Sequence, residues 1–190
     1  MRNSRNKTSG FTLIEVLVAV AVALILGVTA LIGYNSAQKK LALERSAFRL
    51  AQEIRRAQEM AMAEEEYEAE GVPVGGYGIY LRKRPSPQDS YVLFRDLPDI
   101  YLPFDNPNQH YDPGSETVKV ISCEEGVVIK DLGANHVNII FKPPYPHVYI
   151  ADNDGIDLGD ETAIVLSLEE DSSVTKTIYV NKAGLIDVQN

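Results

Sequence analysis

The chain contains no proline before Pro73, and residues 16–38 carry no charge at all. A proline-free run of that length reads as one continuous helix, about 55 residues from residue 11 and about 80 Å long at 1.5 Å per residue. Its first half is apolar on every side, so lipid or neighbouring helices must bury it. Its second half has a seam at Leu43, Ala47, Leu50, Ile54, Ala57 and Ala61. Those alternating steps of four and three are helical periodicity. Phe48 and Ala51 are expected to widen the stripe, with Arg45, Arg49, Glu53, Arg55, Arg56 and Glu59 on the wet side. Gly71 and Pro73 stop the helix, and its ordered end is expected near residues 62–66. Gly27 and Gly33 are its weakest points, each costing about 1 kcal/mol relative to alanine.

One charge interrupts the start of the apolar zone. The junction reads Gly10-Phe11-Thr12-Leu13-Ile14-Glu15, after a leader holding Arg2, Arg5 and Lys7 and no acid. A carboxylate inside a membrane segment costs roughly 2.5–3.5 kcal/mol at a helix centre and marks a functional position by default. A secretory signal would have an apolar core of about 7–15 residues and a small-residue cleavage site; here the core is longer and Asn35-Ser36-Ala37 is a poor site. A plain anchor fits by length, since about 20 apolar residues span a bilayer, but leaves Gly10, Phe11 and Glu15 without a reason. The bases ahead of the span favour a cytoplasmic N terminus.

The junction resembles the processing signal of type IV pilins and pseudopilins. That resemblance implies cleavage between Gly10 and Phe11 by a prepilin peptidase, N-methylation of Phe11, and an assembly role for Glu15 on the adjacent subunit's N terminus. It also implies a single pass of the inner membrane before assembly, then a place in an extracellular or periplasmic filament with other pilin or pseudopilin subunits.

Removing residues 1–10 leaves 15 bases against 27 acids, a net charge of −12. So acidic a chain argues against a general nucleic-acid surface, and no nucleic-acid partner is expected. The single cysteine, Cys123, allows no intrachain disulfide and reads as a buried strand residue.

From Val74 the period changes to two, with Tyr77, Ile79 and Leu81 alternating with Gly78, Tyr80 and Arg82. Further strands are expected at 90–96, 117–123, 127–131, 137–141, 147–151, 163–168, 174–181 and 185–188, punctuated by Gly, Pro, Asn and Asp. Lys182-Ala183-Gly184 reads as the turn of a closing hairpin. The expected fold class is therefore α+β: a leader (1–10), a transmembrane or filament-core helix (11–33), an amphipathic helix half (34–70) and an antiparallel β head (71–190) on which that half packs. Residues 50–58 and 177–186 are similar to the GspH/FimT class of minor pseudopilins.

No catalytic constellation emerges, and the chain reads as non-enzymatic. His110, His136 and His147 have no ligand-spaced partners. Two acidic loops, 105–116 and 152–161, carry oxygen donors of the kind calcium takes. The second is the better candidate, through Asp152, Asp154, Asp157 and Asp160, but an Asx-rich turn accounts for the same residues and no cofactor is expected. Arg82-Lys83-Arg84 reads as a soluble hairpin tip. The function expected is a structural filament subunit; the alternative is a membrane-anchored minor pilin acting as a DNA- or ligand-binding module.

Overall fold

A computed structural model describes residues 11–63, 73–83, 89–98, 108–143 and 147–189, with the side chains of 29–33 excepted. The fold is α+β: a long N-terminal helix and then, among the described residues, nine antiparallel strands. Helix α1 runs Leu13–Met62 and is continuous through Gly27. The strands are β1 Gly76–Arg82, β2 Ser90–Asp96, β3 Thr117–Ser122, β4 Val127–Asp131, β5 His136–Lys142, β6 His147–Ala151, β7 Glu161–Leu168, β8 Thr175–Asn181 and β9 Ile186–Gln189. The chain forms two compact units, Met1–Gln38 and Lys39–Asn190.

In the first unit, the described side chains of α1 from Leu13 to Val28 are all exposed. Among the described residues no helix is long and apolar enough to cross a membrane. The expected span at 11–33 includes residues 29–33, whose side chains lie outside the described set.

The second unit is built on two sheets rather than one. The first has the order β3-β2-β1-β5-β6 and the second β4-β7-β8-β9. The two-residue alternation explains why both pack on the helix. Tyr77, Ile79, Leu81, Tyr91, Leu93, Val137, Ile139 and Phe141 point inward from the first sheet, and Ile129, Ile164, Leu166, Ile178 and Val180 from the second. They close on Leu43, Ala47, Leu50, Ala51, Ile54, Ala57 and Ala61 in a single core. Each apolar face thereby leaves water, at about 25 cal/mol per Å².

The opposite face of the first sheet is also covered. Val92, Phe94 and Ile140 pack there with Tyr111, flanked by Tyr80 and Tyr149. Gly78 is needed beneath this cluster, because a Cβ would lie 2.8 Å from the Phe94 ring. Buried Asn138 ties the covering segments down: its Oδ1 accepts from the Tyr111 amide at 3.0 Å, and its Nδ2 donates to the Asp152 carbonyl at 3.0 Å.

Two expectations for the helix are corrected. Glu53, assigned to the wet side, is only 8% exposed. It flanks the seam and receives the Lys119 Nζ at 2.9 Å from edge strand β3. Phe48, assigned to the apolar stripe, is 48% exposed. It lies about one turn and a half from Leu43, which turns it away from the sheets. Polar contacts also fasten the helix. Arg45 grips Glu124 with a fork at 2.8–3.2 Å, Ser46 Oγ accepts from the Glu124 amide at 3.0 Å, and Arg55 donates to the Ile186 carbonyl at 3.1 Å.

Candidate functional site: the helix N terminus

The first turn of α1 is a reciprocal cap. Thr12 stands immediately before the helix, and its Oγ1 accepts from the Glu15 amide at 3.3 Å. Glu15 Oε2 reaches back to the Thr12 amide at 3.4 Å. Thr-x-x-Glu in this geometry is the capping box, which satisfies two helix-end donors at once. The negative carboxylate also sits at the positive end of the helix dipole. The bonds are long and exposed, so the carboxylate is held in place without being consumed. Glu15 shares one face of the helix with Phe11, Val16, Ala19, Val20 and Ala23, a shallow apolar groove around a single charge. Phe11 itself is exposed, and Gly10 lies outside the described residues.

Residues 5–31 match the family described as the prokaryotic N-terminal methylation motif. The chain is type IV pilin-like at its N terminus. No curated protein and no solved structure matches it. The match ends at residue 31, short of residues 50–58 and 177–186, and does not support the narrower likeness to GspH/FimT minor pseudopilins.

Elsewhere the head of this pilin-like chain uses its polar residues locally. Asp152 Oδ1 accepts from the amides of Asp154 and Ile156, both at 2.9 Å. Asp157 Oδ1 accepts from the Gly159 amide, and its Oδ2 pairs with Lys182 Nζ at 2.7 Å. Asp160 lies 3.6 Å from the same ammonium, so a cation already serves this loop. Lys182 holds the Asp157 carboxyl below its ordinary value. Asp112, in the first acidic loop, accepts from Asn108 Nδ2 at 2.7 Å, whereas residues 105–107 lie outside the described set. Among the described residues, no group of three or more His, Cys, Asp or Glu is gathered to hold a metal ion.

His136 Nδ1 meets the Tyr80 hydroxyl at 2.7 Å, His110 lies 3.4 Å from Asp112, and His147 is exposed on β6. Lys83 pairs with Asp131 at 3.4 Å, Arg82 is exposed, and Arg84 lies outside the described residues. Cys123 is buried, and burial pushes its thiol up to about 12, which keeps it protonated and unreactive.

The sequence reading missed a set of buried acids at the end of β2. Asp96 is 1% exposed, against Gly75. Neither carboxyl oxygen has a well-formed hydrogen bond among the described residues; the Gln109 amide is near enough only to moderate its titration. Burial first, and then Glu116, push Asp96 up to about 8. Glu116 is better satisfied, accepting from the Leu97 amide at 2.9 Å and the Asp112 amide at 2.7 Å. Gln109 beside them adopts a left-handed backbone, φ 61°. No local pattern marks Asp96 as buried, because the segment that covers it comes from residues 108–116.

Proposed function

We propose that this chain is a structural subunit of a pilus-like or type II secretion-like filament, matured by a prepilin peptidase. One observation carries the reading: a lone carboxylate, Glu15, held in the first turn of an exposed apolar helix directly after Phe11. The methylation motif at residues 5–31 supports it. Before assembly the apolar half of α1 rests in the inner membrane. On assembly neighbouring helices replace lipid around it. Cleavage after Gly10 turns the Phe11 amide nitrogen into an ammonium, a partner for Glu15 of an adjacent copy. That pairing compensates a charge otherwise costly to bury and fixes axial register.

Two substitutions test this reading. Gly10→Leu should leave the leader attached, which intact-mass measurement reads directly; a normally shortened mutant would overturn the processing step. Glu15→Ala should remain in the membrane fraction yet be missing from sheared filaments, by at least about tenfold if the pair contributes about 1.4 kcal/mol. Incorporation at the wild-type level would remove Glu15 from the register mechanism.

A further inference from the structure

Charge is divided unequally along the mature chain. Residues 39–62 of α1 hold six bases against three acids, a net +3, while residues 63–189 hold nine bases against 23 acids, a net −14. Lys39 and Arg45 are paired with Glu170 and Glu124 of the head, so the outward face of α1 in the second unit combines the charge of Arg49 and Arg56 with exposed apolar side chains. Leu41 and Phe48 are seven residues, two turns, apart and stand on one side, both nearly half exposed. Arg49 and Arg56, a further seven-residue pair, flank them and are exposed.

The head carries a feature of the opposite kind. In the loop between β6 and β7, Ile156 is 60% exposed at the tip. Asp154 and Glu161 lie on either side of it in the chain, while Asp157 and Asp160 share Lys182. The tip is preorganised. The Asp152 amide donates to the Ile156 carbonyl at 2.9 Å, Asp152 Oδ1 accepts from the Ile156 amide, and Gly155 supplies the left-handed turn, φ 73°. Other exposed apolar residues lack this setting: Val120 follows Lys119, and Leu185 follows Lys182.

Knob and stripe belong to different levels of the helix. The loop is tied to Lys182, and Gly184, two residues on, packs against Gln58. Gln58 is ten residues beyond Phe48, about 15 Å along the axis. We infer that the Ile156 loop of one copy docks on the Leu41–Phe48 face of a second copy, with Asp154 of the loop opposite Arg49. Such a contact joins two different surfaces, so it does not close on itself and propagates as an open filament. The inference rests on the filament reading above and adds the contact through which the heads address one another.

The test uses two full-length chains expressed together, one carrying Phe48→Cys and the other Ile156→Cys, treated in cells with a short bismaleimide. Both positions are exposed and Cys123 is buried, so wild-type chain gives the background. The expected result is a cross-linked dimer in the mixed cells that neither variant forms alone. Arg49→Glu in the first chain should weaken it, up to about fivefold for an exposed ion pair, and Asp154→Arg in the second should restore it. Val18→Cys in the apolar helix serves as the assembly control. Cross-linking through Val18→Cys without any Phe48–Ile156 dimer overturns this docking contact and leaves the filament reading standing. No cross-link at either place overturns both.

Discussion

Gly76→Ala will destabilise the head by about 2–5 kcal/mol, the sum of two separate penalties. The φ of Gly76 is +90°, a region that costs an L-residue about 1–2 kcal/mol. An added Cβ would also lie 2.0 Å from the Phe141 carbonyl oxygen, on the paired strand β5. Backbone cannot swing aside as a side chain can, and overpacking of this kind costs about 1–3 kcal/mol. Gly126→Ala is the matched control, since Gly126 also has a positive φ, 76°, but nothing within 4 Å of a Cβ. It should lose the first penalty alone. Thermal unfolding of fragment 39–190 would separate the two, with a fall in Tm of roughly 4–20 °C for Gly76→Ala and a smaller one for Gly126→Ala, at about 2–4 °C per kcal/mol. Equal Tm values for the two variants would refute the close-approach argument.

The second large effect is a pH slope set by Asp96. Its carboxyl titrates at about 8 in the folded head against 3.8 in an unperturbed chain, because burial disfavours the charge and Glu116 repels it. Between those values the folded state keeps a proton that the unfolded state has released. Stability is therefore fully present below about pH 4, falls as pH rises, and levels off above about pH 8. Over that window the loss should be at most about 6 kcal/mol, about four pH units at about 1.4 kcal/mol each. Glu116, also raised by burial, slopes the same way. The surface carboxyls that are lowered, Glu124, Asp131, Asp157 and Asp171, act below pH 4 and with the opposite sign. Asp96→Asn should leave much less fall in stability between pH 5 and 8, measured by urea unfolding at each pH. An unchanged slope would show that Asp96 is not the group responsible.

Much of the fold was legible because burial here obeys simple periods. The seam of α1 followed steps of four and three, and its six seam residues are all buried. All nine strands lie where alternation and turn residues placed them, within two residues at each end. What was not legible depended on partners distant in sequence. Glu53 reads as wet until Lys119, 66 residues later, is seen to meet it. The division into two sheets follows from β4 pairing with β7 and not with its neighbour β3. At the N terminus, Glu15 stands out as a lone charge beside an apolar run, Phe11 is marked only by the resemblance of its junction, and the Thr12–Glu15 cap is readable as Thr-x-x-Glu.

The fastening of α1 to the head has a mechanical consequence. Its grips are spread along the helix, from Lys39 with Glu170 and Arg45 with Glu124 through Glu53 with Lys119 to Arg55 with the Ile186 carbonyl, beside a continuous apolar seam. A pull along the helix axis therefore strains these grips together, in shear, instead of breaking them one after another as peeling would. A head joined in this way follows its own stretch of helix under tension, and force entering that stretch at Lys39 reaches both sheets at once.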